Sequence, residues 1–161
     1  MSKILTITIN PAVDKSAHVE QMLPEIKLKC SSPSYEPGGG GINVSRAIKK
    51  LGGSSKTLFQ CGGPTGQLMK NLLSLEEIEY KTVNTSEWTR ENLIISESST
   101  NRQFRFGMPG PTLSENEWRE FLAILKDIHP TPDIFVASGS LPPGVPDDFY
   151  GQIAALVGEL G

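Results

Sequence analysis

The 161-residue chain (17.5 kDa) carries 37% hydrophobic residues, 16 glycines and 12 prolines, a composition that folds around a core and excludes a disordered tail. Its net charge of −3 and pI near 5.4 argue against nucleic-acid or membrane-surface binding, so any bound anion must be held by a local cluster. Cys30 and Cys61 lie far apart and His18 and His129 lack metal-ligand spacing, which excludes a disulfide scaffold and a zinc site.

In chain order, Ile4–Asn10 alternates Leu5, Ile7 and Ile9 with Ile4, Thr6 and Thr8, as a strand covered on both faces requires. It is too short and too polar for a signal peptide or a membrane span, and a cytoplasmic protein with reduced thiols is expected. Residues 16–35 are polar and broken by Pro24 and Pro33, and read as exposed strands or loop. Gly38–Gly41 then runs into a helix whose Val44, Ala47, Ile48 and Leu51 share one face, with Ser45, Arg46, Lys49 and Lys50 pointing away and Gly52-Gly53 as the stop. Residues 57–61 form a second buried strand, followed by GGPTG and a helix from about Gln67 to Leu75. Alternating strands and helices predict a parallel sheet with right-handed crossovers.

Glu91–Glu97 and Arg102–Phe106 flank Ser98-Ser99-Thr100-Asn101 as an antiparallel hairpin with one wet face. Ser114 and Glu117 form a capping box for a helix carrying Trp118, Phe121, Leu122 and Leu125. Ile134–Ser138 is an apolar strand, and Pro146 opens a last helix with Phe149, Ile153, Leu156, Val157 and Leu160. The chain stops at Gly161, where a crossover helix calls for a further strand, so an open sheet edge prone to association is expected.

Chemistry is carried by three places. The glycine run lets backbone approach a ligand at a helix start, where N–H groups favour an anionic or hydroxyl-rich molecule, and Asn43 adds an amide there. Asp14 follows a strand end, where open α/β sheets bind ligands, and its carboxylate can accept two hydrogen bonds from sugar hydroxyls. Arg90, Arg102 and Arg105 lie in or beside the hairpin arms, and a guanidinium fork matches a phosphate. Ser138-Gly139-Ser140 lacks the GxSxG context of a hydrolase, so nucleophilic catalysis is not expected. GxxxxGK[ST] is absent, and GxGxxG fails at Val44.

Six segments in register, NPAVD at 10–14, EPGGGGINVSRAIKKLGG at 36–53, GGPTG at 62–66, WTRENL at 88–93, RFGMPG at 105–110 and SGSLPPGV at 138–145, resemble the N-terminal half of ribokinase-like carbohydrate kinases of the phosphofructokinase-B group, closest to its bacterial 6-phosphofructokinase branch. The resemblance implies a Rossmann-like three-layer α/β/α fold with a small β-sheet lid. Residues 1–161 would form the N-terminal part of one such domain, with lid segments at about 15–34 and 78–106. It implies transfer of the ATP γ-phosphate to the C1 hydroxyl of fructose 6-phosphate with Mg2+, and a homodimer formed through the lid. By the matching motifs, Asp14 would hold sugar hydroxyls, Gly38, Gly39 and Asn43 would line the sugar, and Ser138 would sit at its edge. Arg90, helped by Arg105, would grip the 6-phosphate, and Lys27 would reach a phosphate from the lid.

Gly40 stands where many relatives acting on other phosphosugars carry Lys. With WTRENL this favours fructose 6-phosphate over tagatose 6-phosphate or fructose 1-phosphate, the alternative acceptors. The family's DTxGAGD-like segment, with the catalytic Asp and the anion hole, has no counterpart in this sequence, and the nucleotide pocket belongs to the same missing half. No catalytic residue is therefore expected in this chain, which alone should not turn over. A non-catalytic dimerisation or sugar-phosphate-binding fragment is the other reading.

Overall fold

The computed structural model describes residues 3–160, which form two four-stranded sheets and four helices. The larger sheet is wholly parallel, in the order β5-β4-β1-β8, from β5 (Glu79–Asn84), β4 (Lys56–Cys61), β1 (Ile4–Thr8) and β8 (Ile134–Ala137). Alternation along β1 divides its side chains between two helical layers. Leu5 and Ile7 pack with Trp118, Phe121 and Leu125 of α3 (Glu115–Lys126) and with Phe149 and Ile153 of α4 (Phe149–Leu160). On the opposite face Phe59 packs with Ile42 of α1 (Gly40–Lys50) and with Met69 and Leu73 of α2 (Gly63–Leu75). The result is the three-layer α/β/α arrangement that the sequence implies, with Phe59, Phe121 and Phe149 fully enclosed.

The threonines of β1 have a specific use. Thr6 Oγ1 and Ser45 Oγ are 2.8 Å apart, and Thr8 Oγ1 accepts the Ile42 N–H at 3.0 Å, so buried hydroxyls tie α1 to the strand. This reverses part of the expected α1 face. Ile42 and Ser45 are buried, whereas Leu51 is 88% exposed and Ala47 is exposed. The reason is proximity: a Cβ on Gly41 would strike the Ile7 carbonyl, so α1 lies too close to β1 for large side chains in its first turns.

The second sheet, in the order β3-β2-β6-β7, comprises β3 (Ser34–Gly38), β2 (Ala12–Val19), β6 (Arg90–Glu97) and β7 (Arg102–Phe106). β6 and β7 form the expected antiparallel pair, and β2 and β6 run parallel. A small cluster of Ala17, Val19 and Ile95 holds one face. Residues 78–106 do not all join it. Glu79–Asn84 pairs with β4 as the edge strand of the parallel sheet. Its sequence, EYKTVN, is polar because an edge strand half-open to solvent needs little apolar side chain. Residues 27–31 form no strand; Ser31 instead bonds the His18 backbone. α2 begins at Gly63 rather than Gln67, because Pro64 in its first turn gives up an N–H that has no intrahelical partner.

Candidate functional site

The carboxyl ends of β1 and β8, the start of α1 and the first residues of β2 and β6 converge at one place, where parallel α/β sheets bind ligands. Asp14 on β2 lies directly opposite Asn92 on β6, and the Asn92 Nδ2 donates to Asp14 Oδ1 at 2.9 Å. The other carboxylate oxygen, Oδ2, lies against Gly38, where a Cβ would stand 2.6 Å away. Asp14 therefore presents one oxygen to the protein and keeps the other beside bare backbone.

Gly39 caps α1 with φ 127°, a value that only glycine adopts easily. A side chain there would meet Thr8 Cγ2 at 2.6 Å. Several helix-start donors are already engaged. The Gly41 N–H donates to the Ser138 carbonyl at 3.2 Å, the Ile42 N–H to Thr8 and the Asn43 N–H to Gly39. The glycine run thus serves first to seat α1 on β1 and β8, and what it offers a ligand is a close backbone wall. Asn43 projects from the first turn and is exposed.

Arg90 is half-buried and braced by carbonyls. Its Nη2 donates to Asn10 O at 3.0 Å, Nη1 to Met108 O at 2.8 Å and Nε to Pro11 O at 3.4 Å. Burial pulls its pKa below the usual arginine value, and the Asp14 carboxylate pushes it part of the way back. The guanidinium remains charged and has two of its five N–H groups uncommitted. Arg105, opposite Ile94 in the register, falls on the same sheet face as Arg90, Asn92 and Asp14 and is exposed. Lys27 is exposed in the connection between β2 and β3, beyond the end of β2 away from Asp14. Within one chain it is not brought to the cluster.

Two residues missed by sequence reasoning complete the site. Asn10 is buried, and its Nδ2 donates to Ser140 Oγ at 3.1 Å; its Oδ1 is enclosed against Gly110 with no partner among the described residues. Tyr150 donates its hydroxyl to the Gly139 carbonyl at 2.7 Å, fixing the turn after β8 from α4. A cleft of about 530 Å³ opens between Asn10, Arg90, Gly110, Ser140 and Asp147, within the range of small-ligand sites. A second cavity of about 450 Å³, bordered by Lys3, Lys56, Glu79 and His129, lies at the amino ends of the parallel strands and has no part in this cluster.

A three-layer α/β/α fold with a second sheet, and a carboxylate and an arginine at the starts of β2 and β6 beyond the carboxyl end of β1, are the features that the ribokinase-like resemblance implies. The model of the pfkB family carbohydrate kinases matches residues 3–160, and the chain belongs to that family. It is 45% identical over its whole length to the ATP-dependent 6-phosphofructokinase isozyme 2 of Escherichia coli K12, of which it covers 52%. It is 42% identical over 96% of its length to the protein of the same name from Mycobacterium tuberculosis, of which it covers 45%. The crystal structure of Escherichia coli phosphofructokinase-2 in complex with fructose-6-phosphate superposes with a TM-score of 0.93 at 41% identity, over all of this chain and 53% of that one. The chain spans about half the length of the curated relatives it matches.

Proposed function

We propose that this chain supplies the sugar-phosphate half of an ATP-dependent 6-phosphofructokinase, which phosphorylates fructose 6-phosphate at C1. The observation that carries this reading is the pairing, on one sheet face, of a desolvated arginine with a carboxylate that has one oxygen turned to bare backbone. A phosphate dianion requires fixed cationic donors, and a polyol requires carboxylate acceptors. In this reading Asp14 Oδ2 accepts sugar hydroxyls against the wall of Gly38 and Gly39, with Asn43 and Ser138 at the margin. The two uncommitted N–H groups of Arg90, with Arg105, hold the 6-phosphate.

Phosphoryl transfer needs a base and cations around the migrating group. Among the described residues no three His, Cys, Asp or Glu side chains cluster closely enough to hold a metal ion. Mg2+ is commonly held by one or two carboxylates together with substrate phosphates, and in this reading ATP and Mg2+ belong to the whole enzyme. The chain alone is expected to bind sugar phosphate without consuming ATP. The complex of the Escherichia coli relative with fructose-6-phosphate supports the choice of acceptor over tagatose 6-phosphate or fructose 1-phosphate.

A second copy of the chain is the partner in this reading. It docks through the sheet face bearing Tyr35, Phe104 and Phe106, two of which are exposed. In this reading Lys27 meets a phosphate only across such a pair, while the Asp14, Arg90 and Asn92 cluster lies on the sheet's opposite face from Tyr35, Phe104 and Phe106. A cytoplasmic location belongs to the same reading; no helix of the described residues is long and apolar enough to cross a membrane.

Calorimetry with fructose 6-phosphate and fructose tests the proposal. Phosphate-dependent binding that is lost in Arg90→Ala is expected. Equal affinity for both sugars, or none, overturns the sugar-phosphate pocket, and fructose 6-phosphate-dependent ATP hydrolysis by the 161-residue chain overturns the half-site.

A further inference from the structure

Asn92 makes contacts that its place in a hairpin strand does not require. Its Nδ2 donates to Asp14 Oδ1 at 2.9 Å, while its Oδ1 accepts the backbone N–H of Met108 at 3.2 Å. The same residue, Met108, gives its carbonyl to Arg90 Nη1 at 2.8 Å. Arg90 and Asn92 are two residues apart on β6 and so face the same way. They hold the peptide groups on either side of Met108 between them, in a segment that has no secondary structure from Gly107 to Ser114. The Met108 side chain is exposed and packs in none of the cores. At Met108 the strap is held by this pair of polar side chains; further along, the Thr112 N–H donates to Glu87 and Leu113 is buried in the core.

The carboxylate needs a fixed orientation as much as it needs charge. An aspartate rotates about two bonds, and a half-exposed one facing solvent samples several rotamers, each of which aims its oxygens differently. Beside Asp14, Gly38 has no side chain to lean on, and Asn92 is its one side-chain hydrogen-bond partner among the described residues. We infer that Asn92 is a positioning residue for sugar recognition: it turns Asp14 so that Oδ2 faces the sugar, and it fastens the Met108 strap to the same point. The inference rests on the sugar-phosphate pocket proposed above. It assigns selectivity for the hydroxyl-bearing part of the ligand to a side chain that need not touch it, because one of its two amide N–H groups holds Asp14 and its oxygen holds the Met108 N–H.

The two hydrogen bonds can be separated. Asn92→Asp keeps an oxygen for the Met108 N–H but replaces the donor to Asp14 with a second carboxylate oxygen. Met108→Pro removes the N–H and leaves the Asp14 contact intact. The probes are fructose 6-phosphate and inorganic phosphate, titrated calorimetrically into the 161-residue chain. Phosphate reports on the arginines alone, and the excess affinity of fructose 6-phosphate reports on the sugar contacts. Asn92→Asp is expected to lower that excess about tenfold or more, beyond the loss common to both probes that its added carboxylate imposes on any anion. Met108→Pro is expected to lower it by a smaller factor. Asn92→Ala, which adds no charge, is the second variant should Asn92→Asp fail to fold, and the same split is expected.

An excess that survives in both Asn92 variants overturns the positioning role while leaving the pocket intact. Equal losses for the two probes overturn it in favour of a merely structural part for Asn92. Absence of fructose 6-phosphate binding by the unsubstituted chain overturns the pocket itself, and with it the use to which the oriented carboxylate is put.

Discussion

Gly39 shows how one position can be fixed twice over. Its φ of 127° lies where a side chain is strained whatever the space around it, and Thr8 Cγ2 would stand 2.6 Å from a Cβ placed there. Gly52, the stop after α1, has φ 82° and nothing within 4 Å of a Cβ. The two separate strain from crowding. Gly52→Ala is expected to cost about 1–2 kcal/mol, the left-handed penalty alone. Gly39→Ala adds overpacking of roughly 1–3 kcal/mol to a similar backbone strain, and so costs more. Urea unfolding of both variants measures the difference, and equal losses would mean that Thr8 moves aside freely. Asn92 belongs to the same scale and marks a limit of reading residues singly. Its sequence signal was present, since it lies two residues after Arg90 in a strand and therefore on the same face. What made it invisible was its partner: the contact to Asp14 spans 78 residues and exists only once β2 and β6 pair in register.

Local chemistry decides most of the elements, and α3 is the clearest case. Ser114 accepts the Glu117 N–H, and the Glu117 carboxylate accepts from Ser114 N at 2.8 Å and Oγ at 2.7 Å, the box that the sequence announces. The structure adds a second anchor, because Glu117 Oε1 also accepts the Ser86 N–H at 2.7 Å and its hydroxyl at 3.0 Å. Burial alone would raise the Glu117 pKa; these four hydrogen bonds outweigh it and hold the value at about 2. The folded value therefore lies below the unfolded one, roughly 4.3 for glutamate. The stabilisation is complete above that range and is lost as pH falls towards about 2. Glu117→Gln is expected to flatten this part of the acid-unfolding curve, as followed by circular dichroism, and an unchanged curve would assign the acid sensitivity elsewhere. Ser114→Ala should cost about 1 kcal/mol at neutral pH in a urea titration. By contrast β5 and the buried side of α1 could not be read locally. The edge strand is polar because of its neighbours, and α1 turns Ile42 and Ser45 inward because its glycines bring it against β1. An apolar stripe is a guide to burial only where helix and sheet stand at ordinary separation.

At the scale of the whole molecule, apolar surface is left open in two places. One is the outer strand β8, whose IFVA is half-exposed, with Ile134 at 46%, and which pairs only with β1 among the described residues. The other is the second sheet and its connecting loop, where Phe106 is 42% and Ile26 58% exposed near a cluster of only three buried side chains. Three buried side chains from β2 and β6 give this four-stranded sheet little core of its own, so covering this second surface stabilises the sheet as well as the pair. Exposed patches of this kind mark interfaces or association sites, and the two make different predictions. Sedimentation velocity across a concentration series is expected to give a dimer that Phe106→Lys weakens about tenfold or more, equivalent to about 1.4 kcal/mol. Val136→Lys at the open strand is expected to leave that dimer intact. The reverse outcome, with Val136→Lys dispersing the species and Phe106→Lys without effect, would identify strand-to-strand pairing at β8 as the mode of association. The second sheet would then be free of a partner, and Lys27 would be left far from any phosphate.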